Sequence, residues 1–470
     1  MTANVPCRPD SVAPRVFSRL PMAGAVAVSL LAVSGFALAV GLSDSLALAE
    51  RNDPEYREEF YGRQAVDERY VQARAALLPQ VTLTAERIER QQDIVSSDNE
   101  EYASGSTSFP TTTYGASIEQ SIYDYSRWAE LDKAKLEIQQ ASAELEVARQ
   151  DLFLRVARRY FDALSLYETL HFVRAEKSSV EANFEMVKTR HEDGLAREVD
   201  LLDAEARLQQ VVARELEVEN ELRDALEGLA EVTGERPSAL RPVNDSLELS
   251  RPDPDSVDAW LELAVERSPR LQAARLAGDV ASQEVKVRRG GHYPTLDLVV
   301  SYDSEETEGS LFGGGSEVET QDIAVSLNVP IYRGGMTSSR VREGESRISA
   351  AQSRLEGVVR NIDRQVQGGY QGILTAMARE RSLTESLEAS ERVVESREVG
   401  VESGVIPVLD LLDAERDLFF ARSELASARY DYLLSVLELK HAAGVLAPEE
   451  FERIDALLGD EANVLAMGQR

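Results

Sequence analysis

From Trp128 to Arg190 the chain runs without a proline or a glycine. Those are the residues that most often interrupt a helix, so one continuous helix here would reach roughly 95 Å at ~1.5 Å per residue. No ordinary globular domain is that long. The helical stretch after it, about Asp200 to Val232, is only about half as long. A second short helix, about Val257 to Arg289, follows the linker Gly234–Asp255, and end to end the two would match the long one. The same reading joins a C-terminal helix, about Asp410–Ala443, to an N-terminal one, about Pro54–Leu77, beside a second long helix from about Ser339 to Gly400.

The two long helices belong to two copies of one plan. The phrase GLAREVDLLDAEARL (Gly194–Leu208) returns as GVIPVLDLLDAERDL (Gly404–Leu418), shifted by 210 positions, with DLLDAE identical at Asp200–Glu205 and Asp410–Glu415. Tyr160 and Tyr370 keep that shift; Ala116–Asp124 pairs with Val325–Arg333 at 209, and Pro54–Gln80 with Pro269–Thr295 at 215. The six-residue difference falls between strands, where a surface loop absorbs it. Each half reads helix, strand, loop, strand, long helix, turn, helix. The division is a signal over residues 1–49, a first repeat over 50–240, an equatorial linker over 241–256, a second repeat over 257–446 and a tail over 447–470.

The strands alternate with period two. Ile323, Val325, Leu327 and Val329 face one way and Ala324, Ser326 and Asn328 the other; Val81, Leu83 and Ala85, and Leu296, Leu298, Val300 and Tyr302, do the same. Polar loops are expected at Ser96–Ser108 and Asp303–Glu317. Four strands of about ten residues with one apolar face cannot close a barrel, for which about eight is the smallest useful number. Strands in lipid must close, so the chain must oligomerise; three copies give twelve.

The helices carry heptads. Leu411, Leu418, Leu425, Tyr432 and Leu439 alternate with Ala414, Ala421, Ala428, Ser435 and Ala442, a large and small seam of period 3.5. The first half has Leu201, Leu208, Leu222 and Leu229 with Ala204, Val211, Val218, Ala225 and Val232; Glu215 is the one break. Strict heptads imply a left-handed coiled coil.

The N-terminus reads as an export signal: Arg8, Arg15 and Arg19, then an uncharged run from Leu20 to Ser43, then a small-residue site at Ala47-Leu48-Ala49. The competing reading is a membrane anchor. Cys7, the only cysteine, would leave with the signal, so no disulfide or lipid-bearing cysteine is expected in the mature chain. The net charge of -32 argues against nucleic acid as a partner, since a polyanion would be repelled and no basic stretch interleaved with aromatics appears.

This layout resembles the TolC family of trimeric outer-membrane channels, in its type I secretion and efflux branch. The resemblance rests on ARAALLPQVTLTA (Ala73–Ala85), IYRGG (Ile331–Gly335), LAEVTGERP (Leu229–Pro237) and both DLLDAE turns, within roughly Arg51 to Leu446. It implies an α+β membrane protein, a homotrimer whose twelve-stranded barrel in outer-membrane lipid continues as an antiparallel α-helical coiled-coil tunnel across the periplasm. It implies as partners a periplasmic adaptor (membrane fusion) protein and an inner-membrane transporter, ABC or proton-driven, and neither cofactor nor metal.

In that family acidic residues at the helix–turn–helix tips line the entrance. The resemblance places Asp410 and Asp413 there, with Asp200 and Asp203 as their counterparts. Three copies of such carboxylates around a narrow mouth would attract cations and repel one another. The plainer reading is that Asp200 and Asp410 cap the helices that follow, with Asp203 and Asp413 in the first turn; repetition alone does not separate the two. The family's arginine four residues before the first aspartate of the second tip is Ile406 here, followed by Pro407. Arg197 in the other tip is the candidate gate partner in its place.

No enzyme motif accompanies this plan. His171, His191, His292 and His441 lack metal-like spacing and read as helical surface residues, and Gly313–Gly315 lacks the ending of a phosphate cradle. Aspartates three apart on one helix are neighbours, not an acid and base opposed across a sugar. The alternative to a channel is a periplasmic coiled-coil adaptor or scaffold without a pore.

Overall fold

A computed structural model describes residues 41–96, 105–237, 239–244, 247–309, 314–403, 405–459 and 462–463. These belong to one unit, Leu38–Arg470. Arg8, Arg15, Arg19, Cys7 and the apolar run up to Val40 lie outside the described residues. In chain order the elements are α1 (Leu42–Asn52), α2 (Pro54–Ala75), β1 (Gln80–Ile94), β2 (Gly105–Tyr123), α3 (Tyr125–Glu192), α4 (Glu198–Thr233), β3 (Ala239–Leu240), α5 (Val257–Arg267), α6 (Pro269–Arg289), β4 (Thr295–Thr307), β5 (Ser316–Asn328), α7 (Met336–Glu402), α8 (Val408–Ala442), α9 (Pro448–Asp455) and β6 (Ala462–Asn463).

The long helices are α3, of 68 residues, and α7, of 67. Asp124 caps α3 by accepting from the Ser126 amide at 2.8 Å. Nearer the sheet α3 is flanked by α2 and α6, and α6 by α7; nearer the tips α3 is flanked by α4 and α8, and α8 by α7. The heptad seams face these contacts: Ala414, Leu418, Ala421, Leu425, Ala428, Tyr432, Leu439 and Ala442 of α8 are all buried. Glu215, the break in the α4 seam, is met from α3 by Arg174 at 3.0 Å and Lys177 at 2.8 Å. Partial burial alone would raise its carboxyl, yet the two cations hold it below the usual glutamate value.

The short helices stack differently from the expectation. Asn52, at the end of α1, donates to the Thr233 carbonyl at the end of α4 at 2.7 Å, so α4 continues into α2. A Cβ on Gly444, just past α8, would meet the Ser268 backbone at 2.5 Å, so α8 continues into α6. Each repeat thus builds its own composite helix. Length could not decide this, because α2 and α6 have 22 and 21 residues, and α4 and α8 have 36 and 35. Connectivity decides it: short loops at the sheet hold α2 beside α3, and the tip turn holds α4 beside the same helix.

Two expected boundaries are also corrected. The helix read as Val257 to Arg289 breaks at Ser268–Pro269 into α5 and α6, because proline at the first helical position starts a new helix and offers no amide to the old one. Its counterpart break is Asp53–Pro54, which makes α1 the partner of α5; each has 11 residues. The first repeat therefore begins in α1, and the signal boundary after Ala49 would cut it. Leu42, Leu46 and Ala49 are buried in the main core, so they pack as part of the fold.

The sheet is antiparallel in the order β1-β2-β4-β5, so the two repeats meet where Thr111–Tyr123 of β2 pairs with Leu296–Thr307 of β4. The strands run 13 to 19 residues, longer than expected. Gly105–Ser108, Asp303–Thr307 and Ser316–Glu317, read as loop, are in the ladder: hydrogen bonds between hairpin partners do not require apolar side chains. Gly313 lies outside the described residues, and Gly314–Gly315 lead into a strand. Val81, Leu83, Ile323, Val325 and Leu327 are each more than 60% exposed, and β1 and β5 are the open edges.

A belt crosses the middle of the helices. The linker between β3 and α5 is held by tyrosines of the helices: the Arg241 amide donates to the Tyr160 hydroxyl at 3.2 Å, and the Tyr432 hydroxyl to the Ser250 carbonyl at 2.8 Å. Burial pushes the Tyr160 and Tyr430 hydroxyls well above the ordinary range. The tail docks here as α9, with Phe451 buried against Phe153. Asp455 of α9 accepts from the Leu42 amide at 2.7 Å and the Ser43 amide at 2.9 Å, capping α1 from the far end of the chain.

Candidate functional site at the hairpin tips

At the first tip α3 ends at Glu192, and Gly194 adopts φ 74°, a region costly for other residues. The Arg190 carbonyl then accepts from the Leu195 and Ala196 amides at 2.7 and 3.1 Å. At the second tip the Gly400 carbonyl accepts from Val405 and Ile406 at 3.0 and 3.2 Å. These acceptors and donors are related by the repeat, so the two tips share one backbone closure. Gly404 lies outside the described residues.

The side chains differ. Arg197 is the residue before α4 and Asp200 its third; Asp200 accepts from the Arg197 amide at 3.1 Å, from Nε at 3.1 Å and from Nη2 at 2.7 Å. That arginine holds the Asp200 carboxyl below its usual value. In the second tip the equivalent residue is Pro407, which has neither amide hydrogen nor cation. Among the described residues no hydrogen bond or ion pair satisfies the Asp410 carboxylate, while its carbonyl accepts from Arg397. Neither Asp200 nor Asp410 is the residue before its helix; each sits in the first turn, where Asp200 helps cap α4 by accepting from the Arg197 amide and Asp410 makes no such bond.

The Arg197 fork is occupied by Asp200 of its own tip. Asp203 is exposed and adds negative potential near Arg197. Asp413 is the bridging aspartate: Arg207 of α4 donates to it at 2.7 Å, tying the first hairpin to α8 of the second. One layer further in, Ser179 of α3 donates to Glu415 of α8. Glu176 of α3 is buried, which raises its carboxyl above the usual value against the opposing pull of Arg214, Arg416 and Arg207.

Arg207, Arg397 and Glu176 were not found from sequence. One signal did exist: the repeat position of Arg207 is Asp417, a charge reversal just beyond an identical phrase, as expected where two copies face each other. Among the described residues no group of His, Cys, Asp and Glu could hold a metal ion, and no helix is long and apolar enough to cross a membrane. His441 departs from the surface role expected: its Nε2 lies 2.6 Å from Asp151 and its side chain is 9% exposed.

The profile described as outer membrane efflux protein matches residues 46–235 and 260–445, one segment in each repeat. The chain belongs to this family. It is 32% identical over 440 residues to the outer membrane protein TolC of Vibrio cholerae, covering 92% of this chain and 97% of that one. It is 28% identical to the alkaline protease secretion protein AprF of Pseudomonas aeruginosa, covering 91% and 89%. The fold matches the CmeC outer membrane channel of Campylobacter jejuni with a TM-score of 0.75 at 16% identity, covering 89% and 90%. The protein is thus an outer-membrane channel for type I secretion or efflux, of the trimeric TolC-like fold, with its helices extending into the periplasm. The open edges and exposed apolar face of the sheet follow from that fold, because strands in lipid must close with those of other chains.

Proposed function

We propose that the chain is the passive outer duct of a tripartite system, fed by a periplasmic adaptor protein and an inner-membrane transporter, with its entrance at the α3–α4 and α7–α8 tips. The observation that carries this is the Arg207–Asp413 ion pair, a charged tip contact that joins the two hairpins across α3. It takes the place of the latch that Ile406 cannot make. Opening requires the α7–α8 hairpin to move from the α3–α4 hairpin, and this pair resists that movement. Three Asp410 carboxylates, each without a hydrogen bond or ion pair among the described residues, supply the negative mouth that attracts cations.

The mature chain starts before Leu42, so that α1 and its Asp455 cap are kept. Affinity purification of the tagged protein from detergent-extracted membranes tests the reading. A trimer bringing an adaptor and a transporter is expected; a soluble periplasmic monomer would contradict it. Asp410→Ala should weaken cation block at the tip side of a planar bilayer, and unchanged block would return Asp410 to a purely local role.

A further inference from the structure

On α3, Phe153 and Tyr160 point to the belt, whereas Asp151, Arg155, Arg158 and Asp162 form a stripe on the other face. That stripe borders a groove of about 740 Å³ between α3, α6, α7 and α8. Arg155, Arg158, Arg159, Arg270 and Arg364 line it, against Asp151, Asp162 and Glu438. This local excess of cations stands out in a chain with 51 basic and 83 acidic residues.

Two of the three carboxylates are already engaged. Asp151 is shared by Arg270 and His441, and Glu438 is held by Arg158 at 2.7 Å. Arg155 turns to Asp53 at 2.9 Å. The nearest carboxylate to Arg159 is Glu231 at 4.0 Å, and Arg364 has no ion pair among the described residues. Burial raises the Asp162 carboxyl, which reduces its share of negative charge at acidic pH.

A second observation concerns the paired glycines of α7. Each costs about 1 kcal/mol in a helix interior. Gly369 has a packing reason, since a Cβ there would meet the Leu439 backbone at 3.1 Å. Gly368 has none: a Cβ would find nothing within 4 Å, and the position borders the groove. Its missing side chain keeps the space before the arginines open.

We propose that this groove binds oxyanion groups, carboxylate or phosphate, on cargo passing through the duct. Guanidinium forks suit such groups, and three copies of the groove would ring the tunnel at mid-height, beyond the acidic mouth. The inference rests on the duct reading, with the face free of the belt as the tunnel wall.

Block of single channels by citrate and by inositol hexakisphosphate tests it with the two oxyanion types separately. Both should reduce the wild-type current, the one bound more tightly naming the preferred source. Arg159→Gln with Arg364→Gln should raise the half-blocking concentration at least about tenfold, about 1.4 kcal/mol, with conductance retained. The paired Lys variants should keep part of the block, and Gly368→Leu should lose it. Conducting channels that neither anion blocks, or equal block of wild type and the Gln pair, would overturn the groove. Absence of any conductance would count against the duct instead, and equilibrium dialysis of the same anions against the detergent-extracted protein then decides the groove by the presence or absence of arginine-dependent binding.

Discussion

Removing Arg207 should loosen the entrance, and the size of the effect follows from the geometry. Its fork lies 2.7 Å from Asp413, with side chains 24% and 39% exposed. At an effective dielectric near 20, unit charges about 4 Å apart attract by roughly 4 kcal/mol, most of which is cancelled by desolvation and lost side-chain freedom. Pairs at such sites retain about 1 kcal/mol. If the three tips open together, the trimer loses about 3 kcal/mol of closing energy, which shifts the closed-to-open ratio roughly a hundredfold. Open probability in planar bilayers measures this for Arg207→Ala, Asp413→Ala and the double variant. The singles should open to similar extents and the double scarcely further, while the exchange Arg207→Asp with Asp413→Arg should recover closure. Raising salt from about 0.1 to 1 M should open wild type more than the variants, because screening shortens from about 10 to 3 Å. Additive single effects, or an open probability unaffected by Arg207→Ala, would refute the latch.

Other outcomes follow from the same structure. Asp455→Ala should uncap α1 and cost about 1 to 2 kcal/mol, read as faster proteolysis between Leu42 and Asn52 in native detergent. The mass of the mature protein should include Leu42; a chain starting at Glu50 would contradict the place of α1 in the core. Glu176 has a raised folded value, so its ionisation weakens the fold as pH rises past the ordinary glutamate range, and Glu176→Gln should stabilise more at pH 8 than at pH 4. Glu215 has a lowered value, so its contribution is present above the ordinary 4.5 and lost on acidification; Glu215→Gln should destabilise at neutral pH and match wild type in strong acid.

Much of this architecture was legible in the chain because its signals are periodic or duplicated. The α8 seam was readable from Leu418 to Ala442, since heptads report burial directly. The alternation around Ile323–Leu327 identified a strand, although not its length, because the polar outer ends of β4 and β5 pair through backbone alone. Which short helix completes which long one was hidden, since lengths alone fit either pairing. The site was legible in place but not in contacts. The repeat located both tips, yet identical DLLDAE phrases gave no sign that Pro407 would free Asp410 while Arg197 held Asp200. Arg207 escaped notice because a cation on an acidic helix looks like surface until α8 is placed opposite it.

The central claim is that the edge strands of separate chains join to close one barrel in the outer membrane. The only native cysteine is Cys7, so cysteines introduced at Leu83 in β1 and, singly, at Gln321, Ile323, Val325 or Leu327 in β5 can report that junction without interference once the signal is removed. Oxidation of outer-membrane fractions should give, for at least one register, a covalent closed trimer that still conducts in a bilayer. Monomers at every register, or open-ended ladders beyond three chains, would contradict the account.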